Sequence, residues 1–396
     1  MATAGRREKG TGGITRMKDG RYRAYLTITP DPSDGTRRRV SAVGRTRTQA
    51  LERARAKARD MEAGRIGPKD MPTVGEWLDQ WVTDAIEPRR APNTTRSYRT
   101  RIRIDIRPLI GETRLDMVRP SHIRRIENRI LAGDPDDGLG PRSPKTADVT
   151  LSILRTAYDD AMAEGIVTHN PVRMADRIET EEDELPMLSP VEAAKLIRME
   201  PDRKWRLMWR LLFVTGMRLG ETLAISRDEI IERDGVTCLN VEWQLKEFEK
   251  DVVIPPGYRA RHLEGRLWLT RPKTRRGRRL IPLPHDLAME LKAYTMTVDV
   301  PDDMPVLQSK RCRPFSRDAV RNAWIRALDG AGLPHVRIHS ARHTNATILA
   351  MNGVPDLVRK SLIGHSDIAT TDAVYTHVDT KALAGAIDGV ERLIES

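Results

Sequence analysis

Apolar and polar residues alternate along 21–29 (RYRAYLTIT). Tyr22, Ala24, Leu26 and Ile28 fall on one side and Arg21, Arg23, Tyr25, Thr27 and Thr29 on the other. That period of two predicts a strand with one buried face. The turn-forming run PDPSDG (30–35) then leads into a returning strand over 37–43, and MKDG (17–20) predicts a further hairpin turn on the other side. From Thr48 the period becomes helical, with Ala50, Leu51, Ala54 and Ala58 recurring on one face until Gly64 stops the helix. The segment therefore predicts a small three-stranded sheet with one helix. Its exposed face would present Arg21, Arg23, Arg37, Arg38 and Arg39, and a β-ribbon of this size can enter a DNA major groove. The plain alternative is a disordered, solubilising basic tail.

Residues 65–72 (RIGPKDMP) look like a linker. Beyond them Thr73 caps a helix with Val74, Trp77, Leu78 and Trp81 at helical spacing. A second helix spans 92–106, a third begins near Pro120 with Ile123, Ile126 and Ile130, and a fourth covers 145–164, closed by Gly165 and His169-Asn170-Pro171. This four-helix segment carries no catalytic signature, and its Trp and Ile stripes read as core. Arg96 and Arg99, with Arg101 and Arg103, either reach phosphates or line a solvated helix face. The acidic run ETEEDELP (179–186) separates this part from the rest. From Leu188 the pattern is mainly helical, interrupted by short strands over 236–242, 266–271 and 279–282, the last two joined as a hairpin through RRG (275–277). No repeat of 20–50 residues is evident.

Composition sets bounds on this picture. At 396 residues and 39% hydrophobic, the chain is long enough for two or three domains with true cores, which excludes a disordered or fibrous protein. The net charge of +12 points to a polyanion, nucleic acid first and an anionic membrane surface second. Its distribution is uneven: residues 1–70 hold 18 Lys/Arg and 8 Asp/Glu, whereas residues 71–180 are balanced and residues 181–396 carry only +2. Nearly all the excess belongs to the N-terminal module, as expected of a nucleic-acid-binding appendage. Cys238 and Cys312 are the only cysteines, too few for a disulfide framework or a multi-cysteine metal site. A charged N-terminus without an apolar run after it, and no run of roughly 18 apolar residues, lead us to expect a soluble cytoplasmic protein with no membrane partner.

Three separated signatures in the last segment carry chemistry. In TGMRLGE (215–221), Gly216 breaks an apolar helix, and Arg218 and Glu221 follow one turn apart, so the carboxylate can hold the guanidinium from behind while its outer edge meets an anion. Taken alone, such a pair is usually a surface ion pair of little worth. Lys273, in TRPKTRRG (270–277), sits at the tip of the predicted hairpin, as a phosphate contact or, beside a leaving oxygen, a proton donor. In HSARH (339–343), His339, Arg342 and His343 share one helical face; LIGHS (362–366) follows, with Gly364 ending a helix before His365, and then Tyr375-Thr376-His377. Each histidine considered singly is more often structural than catalytic.

The chemistry narrows the choice. Two guanidiniums can bracket the non-bridging oxygens of a phosphodiester. There is no HExxH or Cys/His cluster for zinc, no GxxxxGK[ST] for ATP and no GxSxG elbow. We therefore expect no metal and no cofactor. The nucleophile must then be a side chain, and a Tyr phenol becomes effective once neighbouring cations favour phenolate.

The ordered set TGMRLGE, a Lys on a β-hairpin, HSARH and IGHSDIATTDAVYTHV closely resembles the tyrosine recombinase, or phage-type integrase, family. The resemblance implies a multidomain α+β chain: an arm-type DNA-binding domain over 1–65, an all-α core-site-binding domain over 73–178, and a mainly α catalytic domain with a small antiparallel sheet over 185–396. It implies that Tyr375 attacks the scissile phosphate to give a 3′-phosphotyrosyl link and a free 5′-hydroxyl. Arg218 and Arg342 would clamp the phosphate, Lys273 would protonate the leaving oxygen, His339 would assist proton transfer, His365 would hydrogen-bond the phosphate and Glu221 would support Arg218. His343 and His377 are expected to be structural. The family usually has Leu before the second Arg, where this chain has Ala341, a position expected to pack rather than react. The implied partners are double-stranded DNA with core-type and arm-type attachment sites and three further copies in a homotetramer, with room for a host DNA-bending protein and an excision factor. The C-terminal stretch, with Leu383, Ile387, Val390, Leu393 and Ile394 at helical spacing, docks either on a neighbour or on its own domain. A housekeeping or transposon recombinase of the same family, and a DNA-binding regulator with a degenerate recombinase fold, are the competing readings.

Overall fold

The N-terminal strands form because alternate side chains of the middle strand have a helix to bury against. In a computed structural model that describes residues 13–17, 20–27, 39–62, 71–175, 186–272, 277–309, 313–364 and 380–395, β1 (Ile14–Arg16), β2 (Tyr22–Thr27) and β3 (Arg39–Gly44) make an antiparallel sheet in that order. Ala24 pairs with Ile14 on one side and Ala42 on the other. Helix α1 (Arg47–Glu62) covers the sheet through Ala50 and Ala54, both fully buried, with Tyr22, Leu26 and Leu51 around them. Thr46 rather than Thr48 starts this helix, its hydroxyl accepting the Gln49 N–H. Gly44 lets strand and helix touch, since a β-carbon there would lie 2.5 Å from the Ala50 nitrogen. The turn expected at 30–35 lies outside the described residues.

A second core lies in the same compact unit, Met1–Glu181, and is all helical. Its helices are α2 (Val74–Trp81), α3 (Pro92–Arg101), the short α4 (Arg107–Ile110), α5 (Pro120–Ala132) and α6 (Pro144–Ala163), with π-helical turns at Val82–Ile86 and Ile102–Ile106. Thr73 caps α2 in a capping box with Glu76. The Trp and Ile stripes are core: Trp77 and Trp81 are buried and donate to the Ala157 carbonyl and to Asp160, respectively. Asp105 is fully buried and satisfied by Arg101, Arg142 and the Thr150 hydroxyl.

The second compact unit, Glu182–Ser396, is built around one helix. Helices α7 (Pro190–Met199), α8 (Arg203–Thr215) and α9 (Leu219–Thr222) come first. Every residue of α8 from Leu207 to Thr215 except Arg210 is buried, as expected of a helix surrounded by others. Among the described residues six strands follow: β4 (Ile230–Arg233), β5 (Val236–Val241), β6 (Gln244–Glu247), β7 (Ala260–Glu264), β8 (Leu267–Thr270) and β9 (Arg279–Pro282). They form two antiparallel three-stranded sheets, ordered β4-β5-β9 and β6-β8-β7. The expected β8–β9 hairpin around Lys273 is therefore not formed. β8 finds its partners in β6 and β7, while β9 crosses to pair with β5, Ile281 opposite Leu239. Helices α10 (His285–Thr295), α11 (Arg317–Ala331), α12 (Ser340–Met351), α13 (Asp356–Ile363) and α14 (Thr380–Glu395) complete the unit.

Helix α14 docks on its own unit. Ile387, Val390 and Ile394 join the α8 core, and Arg210 of α8 forms ion pairs with Glu391 and Glu290. Among the described residues no helix is long and apolar enough to cross a membrane.

Candidate active site

The site is assembled where α8 ends. Gly216 adopts a left-handed conformation (φ +62°) that terminates α8 and turns the chain towards α9. Arg218 stands just before α9, and Glu221 closes the first turn from within: its Oε2 accepts the Arg218 backbone N–H at 3.0 Å and its Oε1 accepts Arg218 Nη1 at 2.8 Å. The Arg218 side chain is 39% exposed and Glu221 2%. The carboxylate thus holds the guanidinium from the protein side and leaves an outer edge open, as the i, i+3 spacing predicts.

A third arginine, absent from the sequence-level candidates, completes the support. Arg279, at the start of β9, donates Nη2 to Glu221 Oε2 at 2.9 Å and Nε to the Leu362 carbonyl at 2.7 Å. Arg218 Nη2 in turn donates to the Gly364 carbonyl at 2.9 Å. Two cations therefore satisfy carbonyls at the C-terminal end of α13, where the helix dipole favours positive charge. Burial alone would raise the Glu221 pKa. The Arg279 and Arg218 charges and their hydrogen bonds outweigh it and hold the carboxyl below the ordinary glutamate range.

Arg342 enters from α12. Its side chain is buried, and Nη1 donates to the Gly216 carbonyl at 2.8 Å, while Nη2 is buried with no hydrogen-bond partner among the described residues. Burial first, then repulsion from Arg218 and Arg279, lowers its pKa to about 9, with Glu221 opposing. A desolvated guanidinium with a donor to spare beside two other arginines is suited to taking up an anion. Neighbouring Ala341 is buried in the core, as expected of a packing position.

His339 is exposed at the start of α12, and its ring meets that of half-buried His343 edge-on at 5.3 Å. Lys273, His365 and Tyr375 lie outside the described residues. So do Arg37 and Arg38, while Arg39 is placed by its backbone in β3. Arg21 is exposed, and Arg23 alternates with buried Ala24. Arg96 is exposed on α3, whereas Arg99 is paired with Glu87 at 2.6 Å. Among the described residues no group of three His, Cys, Asp or Glu side chains is placed to hold a metal ion.

Comparison with known proteins agrees with this geometry. Residues 187–382 match the phage integrase family, and residues 73–131 match the phage integrase N-terminal SAM-like domain. A tyrosine recombinase XerC-like protein of Caldanaerobacter subterraneus is 24% identical over 406 aligned positions, covering 95% of this chain and 98% of the relative. An integrase of Saccharopolyspora erythraea is 24% identical, covering 94% of each chain. Among solved structures, the Tn1549 transposon integrase bound to transposon right-end DNA superposes with a TM-score of 0.61 at 19% identity, covering 80% of this chain and 98% of that one. A lambda integrase tetramer on a Holliday junction gives 0.52 at 19% identity, covering 92% and 98%. The chain belongs to the tyrosine recombinase, or phage integrase, family and is a site-specific DNA recombinase.

Proposed function

We propose that this recombinase integrates and excises a mobile DNA element, using Tyr375 as nucleophile. The observation that carries the reading is the buried Nη2 of Arg342, without a hydrogen-bond partner among the described residues, beside the part-exposed Arg218 guanidinium, two cations suited to one phosphate. Tyr375 Oη attacks the phosphorus, its proton passing to His339 or through it to water. The bond to the 5′-oxygen breaks, and that oxygen takes a proton from Lys273 as it leaves. Arg218, Arg342 and His365 hold the non-bridging oxygens, where charge grows in the transition state. The 3′-phosphotyrosyl link keeps the energy of the broken diester, so attack by a 5′-hydroxyl from another strand rejoins the DNA without a nucleotide or metal cofactor.

In this reading residues 185–396 cut DNA, residues 73–178 bind the core site and residues 1–65 bind a distal arm site. Arg21, Arg23, Arg37, Arg38, Arg39, Arg96 and Arg99 are assigned to DNA contact. Relatives named as integrases, and a lambda integrase that forms a tetramer on a Holliday junction, support integration by four copies. A host bending protein and an excision factor would set direction. The test is a nicked duplex carrying the core site: the wild-type chain should trap as a covalent protein–DNA band and Tyr375→Phe should not. A band that persists in Tyr375→Phe removes the nucleophile assignment, and no band with either protein favours a DNA-binding regulator.

A further inference from the structure

Arg279 lies six residues beyond Lys273 in the chain, yet its own side chain faces inward and is 6% exposed. Each of its nitrogens is engaged by protein: Nε by the Leu362 carbonyl at 2.7 Å, Nη1 by the Gly277 carbonyl at 3.2 Å and Nη2 by Glu221 Oε2 at 2.9 Å. Two of its five N–H groups remain, but at 6% exposure they are not presented to a ligand in solvent. Its three acceptors belong to three different pieces of the site. Gly277 closes the segment that carries Lys273, Glu221 is the carboxylate behind Arg218, and Leu362 is in the last turn of α13, after which the chain runs on to His365 and Tyr375.

We propose that Arg279 is a positioning residue of the strand-transfer reaction. Its buried guanidinium fixes Glu221, and through it Arg218, to the C-terminal end of α13. The phosphate-holding cation is thereby fixed to Gly277 and to the end of α13, the residues that border in sequence the stretches carrying Lys273 and Tyr375. This rests on the roles proposed above for Lys273 and Tyr375.

Stability alone is a poor reason for such a group. A buried ion pair contributes little over an apolar residue of the same volume, because desolvation offsets the Coulombic gain. A planar fork with donors in fixed directions does what an apolar residue cannot: it sets three acceptors at defined angles to one another. Lysine, with a single nitrogen on a flexible stem, can satisfy one or two of them but not hold all three in one plane. Small displacements between reacting groups are costly, and an error of about 1 Å can cost on the order of a hundredfold in rate.

The experiment uses the full chain and a nicked duplex carrying its core site. It measures the single-turnover rate of covalent complex formation at saturating protein, and DNA affinity by mobility shift. Arg279→Lys should slow cleavage at least about tenfold while affinity stays within about twofold, the pattern of a group that acts in the transition state. Arg279→Ala should be slower still, and added guanidinium ion should restore its cleavage severalfold without speeding the wild type. Cleavage by Arg279→Lys within about twofold of wild type overturns the proposal, as do rate and affinity falling in parallel or a lack of rescue. A misfolded alanine variant leaves the lysine comparison decisive. Tyr375→Phe, run alongside, separates the two ideas. A surviving band there defeats the nucleophile assignment, whereas a lost band together with wild-type-like Arg279→Lys defeats only this one.

Discussion

Asn345 reaches across from α12 to cap α8, donating Nδ2 to the carbonyls of Phe213 and Val214 at 2.9 and 2.8 Å, and it can do so only because residue 216 is glycine. A β-carbon on Gly216 would lie 2.5 Å from Asn345 Oδ1, and the backbone there has φ +62°. Gly216→Ala therefore brings both a clash and a strained conformation, and should lower unfolding free energy by about 2 kcal/mol. The urea midpoint checks this. Since Arg342 hangs on the Gly216 carbonyl, cleavage should fall more than stability does.

Arg342 is held charged in a place that disfavours charge. A cation whose pKa is lowered to about 9 binds its proton less tightly in the folded chain than in the unfolded one. The sign is thus that native stability rises as pH climbs from about 9 towards the ordinary arginine value, and the penalty is present in full below that window. Substitution tests this without alkaline denaturation. Arg342→Met should leave the DNA-free protein as stable as the wild type or more so, and should abolish most of the thermal stabilisation given by sulfate. Equal sulfate responses in the two proteins would falsify the anion site.

Glu221 behaves in the opposite sense. Its carboxyl is held below the usual 4.5, so the stability it contributes is present above that value and is lost as pH falls through the folded-state pKa. Glu221→Gln should flatten this acid limb of the stability–pH curve. Glu221→Ala leaves the Arg279 guanidinium without its carboxylate and should cost about 3 kcal/mol at neutral pH. Chemical denaturation at several pH values reads both effects.

Most of the excess charge lies in the first 70 residues. Deleting residues 1–65 should leave cleavage at the core site largely intact and remove binding to a distal site. It should also reduce the slope of log affinity against log salt, by about 0.9 for every phosphate the shortened chain no longer neutralises. Unchanged distal binding by the truncated chain would contradict the domain assignment.

The sequence was most legible where a local rule had one answer. Alternation at Tyr22, Ala24 and Leu26 marked a half-buried strand because one face alone packs on α1, and Thr73 marked a helix start because its hydroxyl caps an N–H within one turn of it. Gly216 and Gly364 were readable as helix ends for the same reason, both being left-handed. The strands β6 (QLKE) and β7 (ARHLE) were not, since short charged segments lack the alternation that marks a strand, and missing them misdirected β8 towards β9. Arg279 was hidden differently. It is one arginine in the run RRGRR, and what singles it out is a carboxylate 58 residues before it and a carbonyl 83 residues after it. No window along the chain contains that information.

The unused donor of Arg342 has a bearing on the life of the molecule away from DNA. A ligand that binds the folded chain and not the unfolded one stabilises it, so a phosphodiester taken up by the Arg342 donor would make the fold more stable on DNA than off it. Copies seated on DNA would then open less often than free ones, and a protease acting on the opened chain would cut the free ones first. Under the role proposed for Arg342, the cation that holds the phosphate would also tie the persistence of each copy to its being on DNA.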